Sequence, residues 1–492
     1  MALDSFPTKK DLFLAIDQGG HSSRALVYDG HGRLRVGSHC PVSARNPQPG
    51  WVEHDPEEVL ESVRKAVSEA VTELGEDAQN IVAAGMATQR SSLACWDRET
   101  GEALTPIISW QDRRAAHWLE QLAPDKEAVH RSTGLFVTAH YGASKFRWCL
   151  DNVPAVKTAL ATDRLALGPM ASFLVFRLLQ EHPYLADPAN ASRTQLWSIK
   201  THDWDKGLMQ LFGLPIDSFP RCVPSTYPFG TLKAANQEIP FTLLNGDQSC
   251  AMFAFGEIQV ETAYINVGTG AFVSRPSGHY PRFARRLLTS VILQTDSEST
   301  YVTEGTVNGA ASALDWIEQQ HGVKDWFYNL PDWLARDDEP LLFLNGVSGL
   351  GAPYWVPDFP SQFIGEGDDW QKAVAVVESI VFLLHVNMEE MQKTASPPLQ
   401  IQVTGGLAAL DGLCQRLADL SGMPVYRPVE REATARGTAY LLAGCPKEWP
   451  ENDIGIWFKP RDNEALKRRY SEWQKAMLAT MRRDPADLTG SA

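Results

Sequence analysis

The sequence predicts an α/β protein of two similar halves facing each other across a cleft. Three observations carry that expectation. Each half opens on a strand, a glycine turn and a second strand, LFLAIDQGGHSSRALVYD over 12–29 and ETAYINVGTGAFVSRPSG over 261–278. In each, a helix rich in apolar residues follows and leads to an apolar run that ends in polar or glycine residues. Finally, a chain of 492 residues exceeds what one core supports, about 250–300 residues.

Taken in order, the first half continues with short apolar runs to GSHCPV, the spacing of consecutive antiparallel strands. PGWVEHDP then makes a proline-bounded turn, and Val59, Val63, Val67 and Val71 recur every fourth residue, one face of an amphipathic helix. IVAAGMATQRSS reads as a buried strand whose end carries side chains. In the second half, AVAVVESIVFLLHVNMEEMQK is a strongly apolar helix and LQIQVTGGLAAL a strand, a double glycine and a helix start. ATARGTAYLLAGC is a further small-residue helix, and the boundary between halves falls after GDQSCAMFAFG, near 256–262.

Composition excludes several functions. The formal net charge of −15 sets the overall field against nucleic acid and anionic membranes. No apolar run reaches the length of about 18 residues that a membrane span requires. The opening MALDSFPTKKD lacks a basic-then-apolar leader. The seven cysteines are scattered singly without C-x-x-C spacing, so neither a disulfide framework nor a zinc site is expected. A reduced, cytoplasmic protein is the expectation.

Three glycine turns invite a phosphate: Gly19 and Gly20, Gly268 to Gly270 around Thr269, and Gly405 with Gly406. Glycine there permits positive φ and lets backbone N–H groups approach an anion. Alone, each is an ordinary tight turn. Neither GxxxxGK[ST] nor a helix-opening GxGxxG occurs, which excludes the usual nucleotide loops. Asp17 and Asp247 end apolar runs, positions that aim a carboxylate rigidly into a cleft. Paired, they suit metal-assisted phosphoryl transfer, one serving Mg²⁺ and the other taking a hydroxyl proton.

These features sit within strings that resemble the FGGY carbohydrate kinases, and among them the glycerol kinase branch. The strings are IDQGGHSSR, PGWVEHDPEEV, TQR at 88–90, SWQDRR at 109–114, SKFRWCLDN, NASRTQLWSI, THDWD, NGDQ at 245–248, VGTGAF, EGTV, GLGAPYW, TGG at 404–406 and ATARGTAYLLAG. They run in the family's order over nearly the whole chain. The resemblance implies two RNase H-like domains of the actin/hexokinase type with an interdomain cleft. A first domain over 11–256 would hold substrate and base, and a second over 257–485 would hold ATP. It makes Asp247 the general base and, with Asp17, a Mg²⁺ site. Gly19, Gly20, His21, Ser22 and Arg24 would join Gly268, Thr269, Gly270, Gly405 and Gly406 around ATP. Arg90, Ser91, Trp110, His140, Asp247, Gln248 and Phe272 would face a small polyol or sugar. As assembly, the resemblance leaves a homodimer or a homotetramer open.

Departures from the family pattern bear on the acceptor. Where glycerol kinases read DQGTTSSR, two hydroxyl residues give way to Gly20 and His21. Arg90 is kept, but the glutamate that normally follows it is Ser91, and the substrate tyrosine falls on His140. A hydrogen bond to a charged group contributes about 1.5–3 kcal/mol, so its loss alters which polyol fits. Glutamate to serine also removes bulk. The expected activity is ATP-dependent phosphorylation of a C4–C6 polyol or ketose in preference to glycerol. Two alternatives are an altered homologue acting as a nucleotide- or sugar-binding regulator, and an actin- or Hsp70-like nucleotide switch. Retained Asp17, Asp247 and GTG speak against the first, and NASRTQLWSI with SWQDRR against the second.

Overall fold

The computed structural model describes residues 10–122, 124–336, 339–429, 432–449 and 455–482. The opening MALDSFPTK and residue 485, the expected end of the second domain, lie outside them. Two mixed sheets organise the molecule. The first runs Thr226–Ala234, Gln237–Gly246, Ile81–Thr88, Leu12–Gln18, Ser22–Asp29, Leu34–Pro41. Its centre is Leu12–Gln18, buried along its whole length because both faces are covered. That strand is antiparallel to Ser22–Asp29 and parallel to Ile81–Thr88, which is parallel in turn to Gln237–Gly246.

The second sheet repeats the plan. Its order is Leu288–Gln294, Ser299–Val307, Ala271–Gly278, Thr262–Val267, Gln400–Thr404, Val425–Arg427, Ile456–Phe458. Thr262–Val267 is again central, antiparallel to the strand after its glycine turn and parallel to Gln400–Thr404. The duplicated β-turn-β design expected from the two opening stretches is therefore the real architecture.

Helix Pro56–Leu74 starts where Asp55 accepts from the N–H groups of Glu57 and Glu58, with Pro56 in its first turn. Val59, Val63, Val67 and Val71 all lie on its buried face. Each such side chain, fully buried, contributes about 1.5–3 kcal/mol. The apolar helix of the second half, Asp369–Gln392, opens with a reciprocal capping box between Asp368 and Gln371. The first half also carries a small sheet in which Glu53–His54, from before strand Ile81–Thr88, joins Ile107–Ile108, Leu93–Asp97 and Leu165–Pro169 from the stretch between that strand and Thr226–Ala234, with helix Gly142–Asn152 packed beside it. Among the described residues no helix is long and apolar enough to cross a membrane.

Helix Ala433–Leu442 crosses from the second half to pack on Leu12–Gln18 and on the short helix Asp247–Ala251. At Gly437 a Cβ would stand 1.8 Å from the carbonyl oxygen of Cys250, so the two helices meet backbone to backbone.

Candidate functional site

Strand register assembles the first cluster. Gln18 and Gly246 both pair with Thr88, so three parallel strands end at one level. The residues at and just beyond those ends, Asp17, Arg90 and Asp247, thus emerge at one edge of the sheet, where open α/β sheets bind ligands. Buried amides hold the ends level: Thr88 Oγ1 donates to Asn190 Oδ1 (3.2 Å), and Asn190 Nδ2 donates to the Asn245 carbonyl (3.1 Å). Asn190 is oriented by the buried Asp187, which accepts from its backbone N–H at 3.0 Å.

The two aspartates sense each other. Burial, then the negative charge of Asp247, pushes the Asp17 carboxyl up to about 7, although Arg24 pulls it back. Burial also raises Asp247, opposed chiefly by Arg90, whose Nε lies 4.0 Å from Asp247 Oδ1. Gln248 donates its backbone N–H to Asp247 Oδ1 at 2.7 Å and accepts from Arg90 Nη2 at its side-chain oxygen. Arg24 spans Asp17 (3.7 Å) and Glu432 (2.9 Å), linking the first hairpin to the cap of helix Ala433–Leu442.

Beside Arg90, the buried Ser91 takes a left-handed backbone with φ of 63°. His140 stands with its ring centroid 5.7 Å from Trp110 and 4.9 Å from Tyr141. Burial, reinforced by the cations Arg113, Lys145, Arg193 and Arg90, holds the His140 imidazole well below its ordinary range. A neutral ring offers one donor and one acceptor. Its backbone is anchored by the fully buried Lys145, whose Nζ donates to the carbonyls of Ser109 (2.7 Å) and His140 (2.9 Å).

The second cluster lies on the other sheet. Asn266 pairs with Thr404, so the turn Gly268–Thr269–Gly270 and the turn Gly405–Gly406 emerge together. They touch, since a Cβ on Gly405 would stand 2.5 Å from the Val267 carbonyl oxygen. The carbonyls of Gly268 and Thr269 are tied back by the N–H groups of Ala311 and Ala310, each at 3.0 Å. Phe272 follows this turn, half-buried and opposite Thr306.

Glycine's conformational freedom is used at one of these turns. Of the six turn glycines only Gly405 has positive φ, at 96°. Gly19 and Gly20 do not, and a Cβ on either meets nothing closer than 3.5 Å. The hairpin closes by a Gly19 N–H to Ser22 carbonyl bond of 2.9 Å, which needs no left-handed residue. His21 projects to solvent while its carbonyl accepts from Val42 (2.8 Å), and Ser22 is half-buried.

Glu304, Arg193 and Ser290 were among the residues not singled out from the sequence. Glu304 accepts from Arg90 Nη1 (3.4 Å), from Ser290 Oγ (2.7 Å) and from Arg193 Nη2. Burial works against the Glu304 carboxylate, but Arg193 and then Arg90 overcome it and hold the carboxyl down to about 2. Arg193 and Glu304 stood inside the strings NASRT and EGTV. Charges within runs of small residues were the available signal.

Comparison with known proteins gives the family and the fold. Residues 12–254 match the N-terminal domain of the FGGY family of carbohydrate kinases, and residues 263–444 its C-terminal domain. The chain is 34% identical over 481 residues to the glycerol kinase of Alkalilimnicola ehrlichii, covering 94% of this chain and 97% of that one. Its fold matches a glycerol kinase of Plasmodium falciparum solved with ADP (TM-score 0.86, 23% identity, 96% of this chain and 99% of that one). It also matches a xylulose kinase of Rhodospirillum rubrum (TM-score 0.84, 18% identity, 96% and 99%). With both domain models matched in order on a duplicated sheet, the chain belongs to the FGGY family of carbohydrate kinases, phosphotransferases with an alcohol group as acceptor.

Proposed function

We propose that this kinase transfers the γ-phosphoryl group of ATP to a hydroxyl of a C4–C6 polyol or ketose, with glycerol a poor acceptor. The observation that carries the acceptor is the pair Ser91 and His140 beside Arg90, where glycerol kinases place a glutamate and a tyrosine. Serine withdraws a carboxylate and leaves room for a longer carbon chain. Arg90, Gln248 and the neutral His140 donate or accept at acceptor hydroxyls, with Trp110 and Phe272 as walls.

Asp247 takes the proton of the attacking hydroxyl as the new O–P bond forms and the bond from the γ-phosphorus to the bridging oxygen breaks. Burial raises its affinity for that proton, and Arg90 opposes that rise. Gly268, Thr269, Gly270, Gly405 and Gly406 offer backbone to the nucleotide from the second half; Gly19, Gly20, His21 and Ser22 do so from the first, with Arg24 as a nearby cation. We assign 11–256 to the substrate side and 257–485 to the ATP side.

Asp17 and Asp247 also fit Mg²⁺. The Asp247 charge raises the cost of ionising Asp17, a tension that a bound cation relieves. Mg²⁺ takes one or two carboxylates and completes its shell with water and phosphate oxygens, so two aspartates suffice as its protein ligands. When bound, Mg²⁺ would neutralise phosphate charge there. No feature of the described site favours a non-catalytic role.

The test is acceptor-stimulated ADP release over glycerol, tetritols, pentitols, pentuloses and hexuloses, with Asp247→Asn as blank. A four- to six-carbon acceptor should give the highest kcat/KM. Glycerol as best acceptor overturns the reading of Ser91 and His140.

A further inference from the structure

Glu304 stands on strand Ser299–Val307 of the second half, yet its carboxylate is committed to two arginines of the first. One oxygen accepts from Arg90 at 3.4 Å; the other accepts from Arg193 and from the Ser290 hydroxyl at 2.7 Å. The side chains of Glu304, Arg193 and Arg90 are only 5%, 6% and 8% exposed, so water does little to screen them. Arg90 meanwhile reaches Gln248 and stands 4.0 Å from Asp247. One guanidinium therefore faces the acceptor, the base and the opposite half at once.

The same strand leads onward to the nucleotide side. A few residues past Glu304, the N–H groups of Ala310 and Ala311 hold the carbonyls of Thr269 and Gly268. Phe272 and Ser274, on the strand that leaves this turn, pair with Thr306 and Glu304. A rigid ladder thus joins Glu304 to the turn Gly268–Gly270.

We propose that Glu304 is a positioning residue for the acceptor site. It fixes Arg90 across the interface between halves, so the acceptor-binding geometry is complete only when the two halves are closed on each other. An acceptor that engages Arg90 favours the closed arrangement, and water alone does not. This ties phosphoryl transfer to closure and limits loss of ATP to hydrolysis. The inference rests on the assignment of Arg90 to the acceptor.

The experiment uses the full chain with its best acceptor and compares Glu304→Gln, Glu304→Asp, Ser290→Ala and Arg90→Lys. Glu304→Gln should raise the acceptor KM about tenfold or more while the ATP KM moves less than about threefold, because only transition-state and acceptor contacts are lost. ADP formed per phosphorylated acceptor should rise above parity. Glu304→Asp should recover part of both effects, a rescue that general loss of stability would not give. Ser290→Ala leaves the charges intact and should shift the same quantities about two- to fivefold, which keeps the test informative if Glu304→Gln does not fold. Equal changes in both KM values, or a lower thermal midpoint with unchanged kinetics and coupling, would overturn the proposal. If Arg90→Lys raises the acceptor KM but neither the Glu304 nor the Ser290 variants do, the Glu304 role alone falls. If Arg90→Lys also leaves the acceptor KM unchanged, the assignment of Arg90 fails and this inference fails with it.

Discussion

An ideal Cβ on Gly246 would lie 2.6 Å from Cδ of Arg90 and 2.7 Å from its Cγ. Carbon atoms pack at about 3.5–4.0 Å, so the residue before Asp247 must lack a side chain while Arg90 keeps this path. The atoms concerned belong to the arginine stem, not to its mobile end. Gly246→Ala should therefore displace Arg90 and raise the acceptor KM about tenfold, with a far smaller change in the ATP KM. Steady-state kinetics with each substrate varied in turn measures it.

Removing the base gives a different signature. Asp247→Asn keeps shape and the backbone hydrogen bond from Gln248 but cannot take a proton. General-base catalysis is worth about 10²–10⁴-fold, so kcat should fall by that factor while the acceptor KM changes only a few-fold. An acceptor-dependent rate equal to that of the parent would remove Asp247 from this role.

The acceptor reading can be reversed by substitution. Ser91→Glu with His140→Tyr restores the side chains usual in glycerol kinases. One charged hydrogen bond at about 1.5–3 kcal/mol corresponds to about 10- to 150-fold, so glycerol kcat/KM should rise by that much relative to the parent's best acceptor. Serine at 91 already bears the cost of a left-handed backbone, about 1–3 kcal/mol, so glutamate there adds little backbone strain and the thermal midpoint should change far less than the acceptor preference. A ratio of kcat/KM values that does not move toward glycerol contradicts the assignment.

A pH effect on stability follows from His202. Its Nε2 lies 2.5 Å from the Tyr301 hydroxyl, and its Nδ1 accepts from the side-chain amide of Gln294 at 2.8 Å, both on the second half. The amide donor requires an unprotonated Nδ1, and burial pushes the imidazole below its ordinary value. Because the folded protein binds this proton less readily than the unfolded chain, His202 favours folding above about pH 6.5 and the contribution is lost as pH falls from there. His54, His130 and His140 shift in the same direction, so the contrast must come from a variant. Between about pH 7.5 and 5.5 the thermal midpoint of His202→Gln should fall less steeply than that of the parent.

Much of this architecture could be read from residues. Helix Pro56–Leu74 announced itself by valines at four-residue spacing below a proline-bounded turn, and both strand-turn-strand openings by apolar runs broken at glycine. Asp17 and Asp247 were visible because each ends such a run. Their mutual influence was not, since it depends on the register of three parallel strands. The ion group of Arg90, Arg193 and Glu304 was hidden for a related reason: Arg193 and Glu304 are 111 residues apart and on opposite halves, and no local pattern reports such pairing. Lys145 looked like one more charge in SKFRW, yet it is wholly buried with its Nζ donating to two carbonyls. Backbone conformation was the weakest inference, as glycine at 19 and 20 permits a left-handed turn without requiring one, while Ser91 adopts it without being glycine.

The contact between Gly437 and the Cys250 carbonyl now takes on another meaning. It joins a helix of the second half to the short helix that begins at Asp247. A single methyl group there would act as a doorstop, wedged between the halves at the base of the cleft. Gly437→Ala should therefore yield, where it folds, a molecule propped ajar, which still meets its nucleotide but spends it on water. The capacity to shut depends on a side chain that is not there.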